Sequence, residues 1–311
     1  MTATTKNNET VILVTGATGT VGTEVVRQLT SSSNSSLSSG SRVRAAVHSK
    51  DKADKLRDEN KTIEIVDMDY NNPESIINAL NGIDKLFLLT LPRLNMPEIT
   101  SRVINEAKKN EVKHIVKLSV LCRSWAWLNN RTYAPTRRKL VEESGIPYTF
   151  LNAGAFMQNF VNFFGQTIRT QSAFYIPAGD GKVSFVDARD IAAVATLILL
   201  AKNNGTKIND RYENKKYGIT GNKALSYSQV AEILSNALGR RITYVNITEE
   251  DARKAMKKMG IEEWLIDALI EFYNVIKSGD ASQSTAVVEQ ITGRKPISFE
   301  QFVRDYSSSF N

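Results

Sequence analysis

Residues 11–29, VILVTGATGTVGTEVVRQL, decide how the chain is read. A short apolar run ends in a turn carrying glycines at 16, 19 and 22, and the turn opens a helix-like segment. In a strand–turn–helix unit of this kind, backbone N–H groups and the helix dipole meet at one point and attract a pyrophosphate. Gly16 permits the tight turn, Gly19 the close approach of a phosphate, and Gly22 the packing of helix on strand. Thr15, Thr18 and Thr20 add hydroxyl donors. The whole turn, Gly16, Ala17, Thr18, Gly19, Thr20, Val21 and Gly22, is the candidate dinucleotide-binding segment.

Working outward, short β-branched runs alternate with longer amphipathic segments, the pattern of βαβ units that build a parallel sheet. Strands are expected at 11–15, 42–47, 62–67, 85–90, 114–119 and 148–153. Helices are expected near 21–30, 51–58, 74–81, 98–109 and 136–144, with Gly82, Gly145 and Pro147 placed where helices stop. The serine-rich tract at 31–41 reads as a solvated loop insertion.

Beyond residue 153 the alternation breaks down. Residues 185–201 read as a buried helix entered through Asp187 or Asp190, and 216–221 as a strand. Ser226 with Gln229 and Ser298 with Gln301 have capping-box spacing, each serine able to cap the N–H three residues on while the glutamine reaches back. The segment 249–278 is helical with a break near Gly260. Two parts are therefore expected: 1–153, a dinucleotide-binding domain, and 154–311, completing the sheet edge and forming a helical cap on the substrate side.

Composition narrows the classes. The 311 residues carry 41% hydrophobic side chains, ordinary for a globular protein. A net charge of +7 comes from 40 basic and 33 acidic residues interleaved along the length, without an extended basic run, so no nucleic-acid partner is expected. One cysteine, Cys122, excludes an internal disulfide and suits a reducing cytoplasm, and two histidines, His48 and His114, exclude a multi-histidine metal centre. The longest apolar run, at 191–201, is too short to span a bilayer, so no membrane association is expected.

The end of the second strand selects the cofactor. An NAD site usually places an acid there for the ribose 2′-hydroxyl, whereas an NADP site supplies cations. Here His48, Ser49, Lys50 and Lys52 occupy the place, with Asp51 the one nearby carboxylate. The distance from Gly22 to His48 is 26 residues (48 − 22), longer than the usual spacing of about 20, and the serine tract accounts for the excess. NADPH is favoured, with NADH as the alternative if the lysines are only a solvated helix start.

With these residues in place, the chain resembles the NmrA-like, atypical short-chain dehydrogenase/reductase family, in particular its quinone oxidoreductase and triphenylmethane-dye reductase branch. The marks are VTGATGTVG at the start, VDMDYNNPESI at 66–76, SGIPYTFLNAGAFMQN at 144–159, GDGKVSFVDARDIAAVA at 179–195, YGITGNKALSYSQVAEILSNALGR at 217–240 and TGRKPISFEQFV at 292–303. The resemblance implies an α/β fold, a Rossmann-type doubly wound parallel sheet with a smaller C-terminal, mostly helical cap. It also implies that Asp69 and Tyr70 flank an adenine, and that Leu89, Thr90 and Leu91 line the cofactor. Ser119 and the loop Ala153–Phe156, with Ala155 and Phe156, should approach the nicotinamide. His48 stands where the family commonly carries arginine.

Typical short-chain dehydrogenases use a Tyr-x-x-x-Lys pair for proton transfer. The family register places Asn130 and Ala134 at those positions, so Tyr133 is only a weak candidate acid, the alternative being a packing aromatic. Arg137, Arg138 and Lys139 are expected on a solvated basic face. Without a tuned proton donor, a quinone-like or dye-like acceptor suits better than a ketone, because the hydroquinone anion is stable enough for water to protonate it. Phe156, Met157, Phe160, Phe163 and Phe164 are either an aromatic wall for a flat substrate or simply core. Trp125 and Trp127 are expected on a lip near Cys122, itself read as an inert thiol. Two functions stay open: an NAD(P)H-dependent oxidoreductase acting on a small aromatic or quinone-like substrate, and a silent NAD(P)-binding redox sensor that regulates a protein partner.

Overall fold

The structure, a computed structural model, describes residues 9–31, 40–48, 50–59, 62–90, 95–121, 134–201 and 211–311, without the side chains of Lys50, Asp51, Ala134 and Pro135. Most of the serine tract, Ser49, Leu91, Cys122, Trp125, Trp127, Asn130 and Tyr133 lie outside the described residues.

Six of the strands follow the expected alternation: β1 Thr10–Val14, β2 Ser41–Val47, β3 Glu64–Asp67, β4 Lys85–Leu88, β5 His114–Val120 and β6 Tyr148–Ala153. With β9, Lys215–Ile219, they form a seven-stranded sheet in the order β3-β2-β1-β4-β5-β6-β9. The pairs β2–β3, β1–β2, β1–β4 and β4–β5 are all parallel. This is the doubly wound Rossmann order, in which the chain reverses direction across the sheet between β1 and β4. Parallel strands need crossovers, and α1 Thr20–Thr30, α2 Lys50–Glu59, α3 Pro73–Leu80, α4 Met96–Lys109 and α5 Ala134–Glu142 supply them. Local chemistry sets their starts: Asn72 caps α3 by accepting from the N–H of Glu74, with Pro73 in the first turn.

The chain divides into two compact units. The first takes Met1–Ser119, Tyr133–Leu151 and Ala192–Tyr217, and the second takes Val120–Thr132, Asn152–Ile191 and Gly218–Asn311. The first has its core on the sheet, where Leu13, Leu86, Leu88 and Ile115 pack with Ile76 and Leu80 of α3, Val103 and Ile104 of α4, and Val141 of α5. Two polar pins are buried in it. Lys85 donates to the carbonyls of Leu199 (2.8 Å) and Ala201 (2.7 Å), satisfying the C-terminal end of a further helix, Ala188–Leu200. The Thr149 hydroxyl donates to the Tyr212 carbonyl, so it accepts from His114 Nε2 at 2.9 Å.

The second unit adds short elements the sequence pattern did not reveal: β7 Ala173–Tyr175 paired parallel with β11 Thr243–Val245, and β8 Lys182–Val183 paired antiparallel with β10 Leu225–Ser226. Its helices are α6 Asn159–Asn162, α7 Gly165–Gln171, the start of α8 (Ala188–Leu200), α9 Tyr227–Leu238, α10 Glu249–Lys258, α11 Glu263–Lys277, α12 Val287–Thr292 and α13 Phe299–Asp305. The predicted break at Gly260 separates α10 from α11 and has φ +76°. Asp187 caps α8, accepting from the Arg189 N–H at 2.8 Å, while Asp190 pairs with Arg294. The capping box at Ser226 is complete. At Ser298 only half forms, because the Gln301 amide reaches forward to Asp305.

Burial, with Lys85 nearby, holds the His114 imidazole down to about 4, so it is neutral in the folded protein near neutral pH. The unfolded chain binds the extra proton once pH drops below about 6.5, so this histidine's share of stability is present above that value and is lost as pH falls toward 4. Urea unfolding of the wild type against His114→Gln should show the loss, on the order of 3 kcal/mol between those limits, only where histidine is present.

Candidate functional site

The glycine turn leaves β1 at its carboxyl end and enters α1 within six residues. Gly16 has φ +63°, and a Cβ there would lie 3.0 Å from Leu89 Cδ2. At Gly22 a Cβ would stand 2.0 Å from the Gly16 carbonyl oxygen, so only glycine lets the first turn of α1 close on the loop. Gly19 is exposed, caps α1 in an extended conformation, and offers no side chain to its N–H groups. The first turn of α1 carries no acidic residue. A helix start without a side-chain cap, floored by glycine and open at Gly19 and Thr20, is a cradle for an anion.

Of the three threonines assigned hydroxyl roles, Thr15 is a correction. It is buried, lies within 3.1 Å of the carbonyls of Phe87 and Leu89, and accepts from the Leu89 N–H at 2.8 Å. Its hydroxyl is consumed in pinning β1 to the end of β4. Thr18 and Thr20 stand at the open side of the turn, half-buried and exposed. Ala17 is buried and its N–H reaches the Ala46 carbonyl of β2 at 3.3 Å; Val21 is buried inside α1.

Parallel strands bring the other first-unit candidates to the same edge. His48 follows β2 and is exposed; Lys52 is exposed in the first turn of α2. Asp69 follows β3, where its carboxylate accepts the Asn71 N–H at 2.9 Å and its backbone is tied to Ser75. The Tyr70 hydroxyl donates to the Leu89 carbonyl at 3.0 Å. Leu89 thus meets Gly16, Thr15 and Tyr70 at one point.

Beside it lies a group the sequence reading missed. Lys117, on β5, is 3% exposed. Its ammonium reaches Thr90 Oγ1 at 3.3 Å, and Arg137 Nη1 reaches the same oxygen at 3.3 Å. Arg138 donates to Ser119 Oγ through Nε (3.2 Å) and Nη2 (3.1 Å). Burial, reinforced by Arg137 and Arg138, lowers Lys117 to about 7. The expected solvated face on α5 is therefore corrected: Lys139 is exposed and faces Glu143, but Arg137 and Arg138 are half-buried and turn to the strand ends. The available signal was a lysine flanked by Val116 and Leu118 inside the strand HIVKLSV.

Ala153, Ala155 and Phe156 belong to the second unit. There Ala153 is buried, the Ala155 carbonyl accepts from Val186, and Phe156 bridges to Val186. The choice between aromatic wall and core resolves residue by residue. Phe160 is the centre of a core, edge-on to Phe164, Phe174, Phe185 and Phe299 at 5.0 to 5.6 Å. Phe163 is 70% exposed and does neither. Met157, with Phe185, Leu225 and Phe299, floors a pocket of about 340 Å³ rimmed by Asn222, Lys223, Ser298 and Glu300. Among the described residues no cluster of His, Cys, Asp or Glu could hold a metal, and no helix is long and apolar enough to cross a membrane.

The profile of the NmrA-like family matches residues 8–303, and the chain belongs to that family. An NAD(P)H azoreductase from Xenophilus azovorans is 35% identical over 307 residues, covering 96% of this chain and 99% of the relative. The NADPH-dependent quinone oxidoreductase of Escherichia coli, solved in complex with NADPH, superposes with a TM-score of 0.77 at 26% identity, covering 97% of this chain and all of that one. The Citrobacter triphenylmethane reductase complexed with NADP(H) shares the fold, with a TM-score of 0.76 at 24% identity over 95% of this chain and 99% of that one.

The geometry separates the roles of two glycines. Gly22→Ala should lower the unfolding free energy by about 3 kcal/mol, because the added methyl meets backbone. Gly19→Ala should keep stability within about 1 kcal/mol while weakening dinucleotide binding roughly tenfold, a loss of about 1.4 kcal/mol in affinity. Chemical denaturation and calorimetric titration read the two effects separately.

Proposed function

We propose that this chain is an NADPH-dependent oxidoreductase, able to use NADH less well, that passes hydride to a flat acceptor such as a quinone or a dye. The observation that carries the reading is the glycine cradle at an uncapped helix start, in a chain similar along nearly its whole length to an NAD(P)H azoreductase. When bound, NADPH supplies the hydride.

The chain's own part is binding and orientation. The N–H groups of Thr20, Val21 and Gly22 at the start of α1 hold the pyrophosphate, with the Thr18 and Thr20 hydroxyls beside them. His48 and Lys52 read the 2′-phosphate from the end of β2 and the start of α2, with Ser49 between them in sequence. Asp69 and Tyr70 flank the adenine, and Leu89 and Thr90 line the route toward Ser119. An acceptor that yields a stabilised anion needs no dedicated proton donor, so proximity and orientation carry most of the catalysis.

Purified protein mixed with NADPH and a panel of quinones and azo dyes should consume the absorbance of the reduced nicotinamide. Tight, redox-selective cofactor binding with no turnover on any acceptor would replace this reading with a redox sensor acting on a protein partner. For cofactor choice, the double variant His48→Ala, Lys52→Ala should weaken NADPH roughly tenfold more than NADH, about 1.4 kcal/mol of discrimination. Equal losses would show that these side chains do not touch the 2′-phosphate.

A further inference from the structure

The described buried or half-buried cations elsewhere in the chain are matched by acceptors. Arg44 pairs with Glu64 and donates to the carbonyls of Ala79 and Asn81. Arg189 lies between Asp187 and Asp305, Arg240 donates to the carbonyls of Ile168 and Phe310, and Lys85 has two carbonyls. The group at the ends of β4 and β5 differs. Among the described residues Lys117 and Arg137 have no ion pair, and they share one neutral hydroxyl, that of Thr90, at 3.3 Å each. The Arg137 Nε is buried without an acceptor, and unlike Arg44 Nε, which also lacks a hydrogen bond but faces Glu64 at 2.9 Å, it has no carboxylate beside it among the described residues. The acids of α5 are engaged elsewhere, Glu142 with Lys216 and Glu143 with Lys139.

The stretches that follow Thr90 and Leu121 in sequence, 91–94 (LPRL) and 122–133 (CRSWAWLNNRTY), contain no Asp or Glu. Cations withdrawn from water without a partner are costly, and the lowered affinity of Lys117 for its proton expresses that cost. An arrangement of this kind is relieved by an anion from outside the chain. A planar guanidinium fork with a point-like ammonium suits a carboxylate or sulfonate, and two hydroxyls add further donors.

We propose that Lys117 and Arg137, with Thr90, Arg138 and Ser119 beside them, form a receptor for a carboxylate or sulfonate carried on an aromatic acceptor. The identity of the ligand as an acceptor rests on the oxidoreductase reading; the anion site does not. The pyrophosphate and 2′-phosphate of the cofactor already have their own groups at α1 and at His48 and Lys52. The receptor therefore selects acceptors, favouring anionic aromatic molecules over neutral ones of the same shape.

The test is calorimetric titration of the NADP⁺-loaded full chain with 2-naphthalenesulfonate and with 2-naphthol, a neutral aromatic of the same ring system. The sulfonate should bind the wild type more tightly. Lys117→Met, which suits an apolar strand, and Arg137→Gln should each cut the ratio of the two dissociation constants roughly tenfold, equivalent to about 1.4 kcal/mol. A wild type without preference, or folded variants that keep the full preference, would overturn the receptor. So would sulfonate binding to the cofactor-free chain that is lost when NADP⁺ is added, which would assign the cluster to a phosphate of the cofactor. Turnover of 1,4-naphthoquinone is measured alongside: sulfonate selectivity without turnover removes the oxidoreductase reading alone, and turnover without sulfonate selectivity removes the receptor alone.

Discussion

One close approach governs the first unit: the first turn of α1 lies so near the Gly16 carbonyl that no side chain fits at position 22. That contact sets α1 against the end of β1, and the Thr15 hydroxyl then pins the same point to Leu89 beyond β4. Because β1 sits between β2 and β4 in the sheet, the ends of both neighbours are held to the turn. The helix start is left without a side-chain cap, and its donors stay available to a ligand. Stability draws on this loop through Gly22, and under the proposed function binding draws on the same loop through Gly19.

Charge is buried in the first unit in two different ways. Lys85 and His114 are buried at one end of β4 and β5 as structural pins, each with acceptors inside the fold. Lys117 is buried three residues further along β5, with neither carbonyl nor carboxylate among the described residues. Two lysines at comparable burial in paired strands therefore have opposite meanings. The first closes a helix end; the second is an expense the fold leaves unmatched, which is the pattern expected of a binding site.

Much of this was legible in the residues. The six strands of the alternating half, the glycine turn and the caps at Asp187 and Ser226 all depend on interactions between residues near one another in sequence, and their spacing is visible without coordinates. The strands β7, β8, β10 and β11 were not legible, because two or three residues carry no periodicity and their partners lie far along the chain. The same limit explains Thr15 and Arg137. A hydroxyl at a phosphate loop and an arginine on a polar helix look available in sequence; only the sheet shows that one is consumed by Leu89 and the other turns inward to Thr90. Phe160 and Phe163, three residues apart in one aromatic run, separate into core and solvent because α6 is a single short turn.

The proposed function places the pyrophosphate at the uncapped start of α1. Amide resonances of the ¹⁵N-labelled chain, followed while NADP⁺ is added, test it most directly. Gly19, Thr20, Val21 and Gly22 should show the largest shifts in the chain, well beyond those of the side-chain-capped starts of α3 and α9. Saturating NADP⁺ that leaves these four amides unmoved would contradict it.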